Sequence, residues 1–115
     1  MNHSDKQKLG REAGTILAGI VHANKQLSPK EKISLPSQEM PSQDPFVRRN
    51  NMSEVALGYT AEQARLEAMR CLQCKNAPCI KGCPVCIDIP AFLAAAAEGN
   101  FQKSIDIIKQ NSLLP

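Results

Sequence analysis

Apolar residues Leu9, Ala13, Ile16, Leu17, Ile20 and Val21 recur at i, i+3, i+4 and i+7 across residues 5–26, the spacing of one helical face. The stretch predicts an amphipathic helix. Its polar face carries no basic stripe, so the helix is expected to pack on protein and not to lie on a membrane surface. Gly10 and Gly14 stand in GxxxG spacing, but Arg11 and Glu12 between them exclude the transmembrane dimer that this spacing can signal.

The helical period disappears between Ser28 and Asn50, where Pro29, Pro36, Pro41 and Pro45 are scattered among Ser, Gln, Lys and Glu. Proline removes backbone donors and pushes the residue before it into extended geometry, so this region predicts a linker or a strap laid over the domain. Order is expected to resume at Asn51, an N-cap with Glu54 three residues on, opening a short helix through Leu57 that Gly58 closes. Thr60 and Gln63 form a capping box for a helix from Ala61 to about Leu72, with Ala61, Ala64, Ala68, Cys71 and Leu72 down one face. If that helix runs far enough, Cys71 and Cys74 share a face as i and i+3.

Further on, Pro78 and Pro84 are expected to break the chain into tight loops, with Gly82 allowing a turn. Asp88 or Ile89 caps the next helix, with Pro90 in its first turn, where a missing donor costs nothing. That helix runs through Phe92, Leu93 and the alanines to Glu98 and ends at Gly99; Asn100 caps a last one in which Phe101, Ile105 and Ile108 share a face. Ala94 to Ala97 are small enough to let a neighbour approach closely. The pattern as a whole predicts an all-α fold of about four to five helices with a Pro-rich extended N-terminal segment. Residues 1–37 form the N-terminal helix and linker, and residues 38–115 the helical domain.

Composition limits the core. The 115 residues include four aromatics, Phe46, Tyr59, Phe92 and Phe101, and no Trp. A chain of this size buries only about two thirds of its unfolded surface, so a metal bound by the folded state alone would add stability that the side chains cannot. The formal charge of +3 is small and dispersed, which excludes a nucleic-acid partner as an expectation. Lys6, Lys8 and Arg11 before the apolar run Ala13–Val21 imitate a signal peptide, but Asp5 and Glu12 interrupt the basic part and Gly14, Thr15 and Gly19 dilute the apolar one. Nine residues are also too few for a bilayer, which needs about 20. The expected location is the cytoplasm, with no membrane association.

That location decides what the cysteines are. All five lie in sixteen residues, Cys71-Leu-Gln-Cys74-Lys-Asn-Ala-Pro-Cys79-Ile-Lys-Gly-Cys83-Pro-Val-Cys86. In a reducing compartment an odd, clustered set reads as a metal site and not as disulfides. His3 and His22 stand far from it in sequence and are expected to be exposed. Zinc could take two C-x2-C units, Cys71/Cys74 and Cys83/Cys86, at the cost of a loop only eight residues long and a leftover Cys79. An iron-sulfur centre also takes four thiolates. It accepts a contiguous run whose last cysteine, followed by proline as Cys83 is, ligates the other cluster of a pair. The spacing favours iron-sulfur and keeps zinc as the alternative. No residue has the setting of an acid, base or nucleophile in catalysis.

The residues around the cysteines carry a more specific likeness. Met40-Pro-Ser-Gln-Asp-Pro45, Arg48, Asn51, Glu54-Val-Ala-Leu-Gly-Tyr59-Thr60, the cysteine run through Val85, and Ile87-Asp-Ile-Pro-Ala-Phe92 together resemble the N-terminal iron-sulfur domain of the NADPH-dependent glutamate synthase small (beta) subunit. The same module occurs in dihydropyrimidine dehydrogenase and related flavoenzymes. The resemblance covers roughly residues 38–115. It implies an all-α domain with two 4Fe-4S clusters that relay electrons between a downstream FAD and NAD(P)H module and a partner active site, such as the large glutamate synthase subunit. It also implies that Cys71, Cys74 and Cys79 bind one cluster, completed by a later cysteine, and that Cys83 begins the second. Asn111-Ser-Leu-Leu-Pro115 resembles the approach to the family's second cysteine group, before which the chain ends, and no Gly-rich dinucleotide fingerprint is present. Cys86 stands where the family usually shows Gly or another non-cysteine residue; it is either a substitute fourth ligand or a free thiol.

Overall fold

A computed structural model of the chain describes residues 5–22 and 27–113. Their regular structure is helical: α1 (Lys6–His22), α2 (Pro29–Ser34), α3 (Pro45–Arg48), α4 (Ala61–Met69), α5 (Pro78–Gly82), α6 (Ile89–Ala97) and α7 (Phe101–Lys109). Strand-like pairing among the described residues is limited to an isolated antiparallel bridge between Ser42 and Ala56. The all-α expectation holds. No helix among the described residues is long and apolar enough to cross a membrane.

The chain divides into two compact units. One comprises Met1–Gln26 and Pro36–Leu66, the other Leu27–Leu35 and Glu67–Pro115. In the first, α1 forms where the periodicity predicts it, although residues 23–26 of the expected span lie outside the described residues, as does His3. Ala13 and Leu17 are buried while Ile16 and Val21 on the same stripe stay exposed. The GxxxG spacing serves close packing within this unit. A β-carbon added at Gly10 would stand 2.9 Å from Thr60 Cγ2, and one at Gly14 would stand 3.6 Å from Glu62 Cγ.

The proline-rich region is not wholly extended: two short helices interrupt what was expected to be an extended linker or strap between Ser28 and Asn50. Ser28 caps α2 in a reciprocal box: Glu31 N–H donates to Ser28 Oγ at 3.4 Å and Ser28 N–H donates to Glu31 Oε2 at 2.8 Å, with Pro29 in the first turn. Asp44 caps α3 by accepting from Phe46 N–H at 2.8 Å, again with a proline behind the cap. Both helices bury no residue fully, and Ile33 is 71% exposed. End chemistry makes them, which is why a search for an apolar face passes over them.

The short helix expected from Asn51 to Leu57 does not form. Gln43 N–H donates to Val55 O at 2.9 Å and Leu57 N–H to Pro41 O at 2.8 Å, so pairing with the strap takes the backbone groups a helix would have used. Asn51 closes a local turn instead, its Oδ1 accepting from Ser53 N–H at 2.9 Å. The Thr60–Gln63 capping box forms in both directions at 3.2 Å. Gln63 is fully buried, and its remaining amide nitrogen donates to Glu39 O at 3.0 Å, which ties the strap to the start of α4.

In the second unit α6 and α7 form an antiparallel-type helical hairpin with caps as expected from sequence. Asp88 accepts from Ala91 N–H at 3.3 Å, Asn100 accepts from Lys103 N–H at 3.1 Å, and Gly99 between the helices has φ +86°. Ala95 is buried, and Ser104 Oγ crosses from α7 to donate to Phe92 O at 2.8 Å. The fully buried apolar residues of this unit, Ala68, Ala77 and Ala95, are all alanine. Its core is as thin as the composition implies.

Candidate metal centre

The cysteine run lies wholly in the second unit, from the end of α4 to the turn before α6. α4 stops at Met69, short of the Leu72 end read from its apolar face, so Cys71 and Cys74 do not share a helical surface. A left-handed residue, Gln73 at φ +53°, reverses the backbone between them. Its side chain fixes the loop on both sides: Nε2 donates to Cys71 Sγ at 3.4 Å and to Pro90 O at 3.0 Å. The loop is also held by α2, where Lys32 Nζ donates to Cys71 O at 3.1 Å.

Cys79 sits inside α5, a five-residue helix that starts at Pro78. Pro78 therefore opens a helix turn where a loop was expected, and Gly82 ends it without a left-handed backbone. The left-handed turn falls at Cys86, φ +53°, after a tight turn closed by Cys86 N–H donating to Cys83 O at 3.0 Å. Asn111, beyond α7, donates from Nδ2 to both Val85 O and Cys86 O at 3.1 Å, and so anchors this turn from the far end of the hairpin.

All five cysteines are free thiols; Cys71 and Cys83 are half-buried, and Cys74, Cys79 and Cys86 are exposed. The thiol of Cys83 is held below its ordinary value of 9.0. Backbone N–H groups of Ile87, then of Val85 and Cys86, stabilise its thiolate, while partial burial works the other way. Lys75 and Lys81 line an open cleft of about 530 Å³ with Asn76, Ala77 and Ile80, placing two cations on the loop that carries the thiols. His22, like the cysteine-distant residue it was read to be, is exposed.

This donor set suits a thiolate-bound centre. Soft sulfur ligands select zinc or iron-sulfur clusters, and backbone N–H groups aimed at the Cys83 sulfur favour its thiolate. Among the described residues no three or more Cys, His, Asp or Glu side chains are gathered so as to hold a metal ion. What spacing could not show was the role of Gln73 and Asn111. The signal available was the amide side chain itself, placed two residues after one cysteine and 25 after another.

Known proteins place this architecture. The chain is 34% identical over 67 residues to the NAD-dependent dihydropyrimidine dehydrogenase subunit PreT homolog of Salmonella typhi, which covers 58% of this chain and 16% of that protein. It is 32% identical over 69 residues to the putative oxidoreductase AegA of Escherichia coli, covering 59% of this chain and 10% of the relative. A 40-residue match to the NADPH-Fe(3+) oxidoreductase subunit beta of Geobacter sulfurreducens reaches 51% identity, over 35% of this chain and 6% of the relative. This chain thus spans a small fraction of the length of the curated relatives it matches. The model of one family covers residues 48–115, and with it the cysteine run and the α6–α7 hairpin: the chain belongs to the dihydropyrimidine dehydrogenase domain II, 4Fe-4S cluster family.

Proposed function

We propose that this chain is an electron-transfer module that holds 4Fe-4S iron-sulfur centres and serves a larger NAD(P)H-dependent flavin oxidoreductase. The observation that carries the reading is the set of five free thiols on short, capped loops within the segment matched by the 4Fe-4S family. When bound, a 4Fe-4S cluster supplies a one-electron carrier whose potential is set by net charge, hydrogen bonds to sulfur and exposure. The chain's own residues do the rest. Cys71, Cys74 and Cys79 are the proposed ligands of one centre and Cys83 the first ligand of another; Cys86 is the candidate within the chain for an additional thiolate.

Gln73, Lys32 and Asn111 hold the ligand loops through backbone and side-chain bonds, and Lys75 and Lys81 offset negative charge. The exposure of Cys74 and Cys79 leaves the site open to an electron donor or acceptor at its edge. We take the partner to be a FAD and NAD(P)H module or a large subunit of glutamate synthase type, and the setting to be cytoplasmic, without nucleic acid or membrane. The names of relatives, an NAD-dependent dehydrogenase subunit and an NADPH-Fe(3+) oxidoreductase subunit, support a redox partner without choosing the substrate.

Anaerobic purification followed by iron and acid-labile sulfide analysis tests the reading. Iron and sulfide in equal amounts, with a visible absorbance that bleaches on reduction, are the expected result. Zinc without sulfide would overturn it and leave a zinc-stabilised interaction module.

A further inference from the structure

Gln73 is the one side chain among the described residues for which a hydrogen bond to a cysteine sulfur is resolved, and both hydrogens of its amide nitrogen are engaged. One points to Cys71 Sγ at 3.4 Å, the other to Pro90 O at 3.0 Å in the first turn of α6. The Pro90 carbonyl orients the amide, because a carbonyl oxygen only accepts and must face the nitrogen. Its backbone stands at φ +53°, a conformation that a residue other than Gly or Asn adopts at a cost. Reversing the chain there brings the side chain back over the preceding cysteine. A left-handed residue, a sulfur acceptor and an anchor on a separate helix thus converge on one amide.

We propose that Gln73 is a positioning residue that tunes the reduction potential of the centre held by Cys71. The inference rests on the iron-sulfur reading above and deepens it. Adding an electron to a cluster increases the negative charge carried by its thiolate sulfurs. A donor aimed at one of them stabilises the reduced state more than the oxidised state and raises the potential. The Pro90 contact keeps the donor in place, so loss of the amide removes both the N–H···S bond and the tie between the ligand loop and α6. The neighbouring ligand-loop contacts are made to carbonyls, by Lys32 to Cys71 O and by Asn111 to Val85 O and Cys86 O, and do not share this effect on sulfur.

The test is a redox titration followed by electron paramagnetic resonance on anaerobically purified wild-type protein, Gln73→Met and Gln73→Lys. Met keeps the length and apolar stem without a donor; Lys keeps a donor within reach. The expected result is a lower potential in Gln73→Met, a threefold to tenfold shift in the one-electron equilibrium, tenfold being about 59 mV, with Gln73→Lys at or above wild type. Equal potentials in wild type and Gln73→Met, at full iron and sulfide content, would overturn the tuning role and leave the iron-sulfur reading intact. A wild-type protein that holds no sulfide overturns both. If Gln73→Met loses iron, retention by Gln73→Lys supports the positioning role, and loss from both variants refutes a role for the donor.

Discussion

Lys32 Nζ donates to the carbonyl oxygen of Cys71 at 3.1 Å across 39 residues of chain, so a helix made by a serine cap and a proline holds the first cysteine of the cysteine-bearing loops. The contact belongs to the second unit and is half-buried. Lys32→Met is expected to lower the stability of the apo chain by about 1 kcal/mol, the value of a partly exposed bond from a charged donor. The midpoint of urea unfolding reads this directly. An unchanged midpoint would show that α2 contributes nothing to the loop.

Two glycines of α1 should respond in opposite directions to the same substitution. At Gly10 an added β-carbon meets Thr60 Cγ2 at 2.9 Å, and Thr60 cannot swing aside without giving up its bond to Gln63 N–H. At Gly19 nothing lies within 4 Å. Gly19→Ala should gain about 1 kcal/mol from helix propensity alone, whereas Gly10→Ala should lose about 1–2 kcal/mol net to overpacking. Thr60→Ser, which removes the methyl and keeps the cap, should restore the Gly10→Ala chain to near wild-type stability. Thermal unfolding of the four proteins decides it, and equal shifts in the two alanine variants would refute the close packing.

Cys86 presents a conflict between backbone and side chain. Its φ of +53° suits glycine, and its carbonyl is pinned by Asn111. Cys86→Gly is therefore expected to stabilise the apo chain by up to about 1 kcal/mol and, with the additional thiolate removed, to lower iron content per chain. Calorimetry on the apo form and iron analysis on the anaerobic form separate the two effects. Undiminished iron would make Cys86 a bystander thiol.

Cys83 of the folded apo chain should react at a lower pH than the same thiol in the urea-unfolded chain, because backbone N–H groups of Ile87, Val85 and Cys86 favour its thiolate. The depressed folded value also fixes the sign of its stability term. The contribution is complete above the ordinary value of 9.0 and is lost as pH falls through the lowered folded value. Alkylation by iodoacetamide across pH, with the site read by mass spectrometry, should show Cys83 modified at lower pH in the folded chain than in urea. The reverse order would contradict the hydrogen bonding around its sulfur.

Helix ends and the clustering of the cysteines were legible in the residues themselves. Thr60 with Gln63, Asp88 with Pro90, Asn100 after Gly99, and five cysteines in sixteen residues are local signals, and each cap acts over three or four residues whatever the rest of the chain does. Ser28 with Glu31 is a signal of the same kind, hidden only because the scattered prolines and polar residues around it show no apolar period. Other features depended on contacts distant in sequence. Residues 51–57 carry a helix cap but pair with Pro41–Gln43, where Leu57 N–H donates to Pro41 O and Val55 O accepts from Gln43 N–H. The left-handed turns fell at Gln73 and Cys86 and not at Gly82, because Pro90 O and Asn111 hold those turns from elsewhere in the second unit. Sequence by itself determined the helical class and the thiolate chemistry, both set by short-range spacing; tertiary structure alone decided which loops carry the sulfurs and which amide faces Cys71, because those choices turn on partners that lie many residues away.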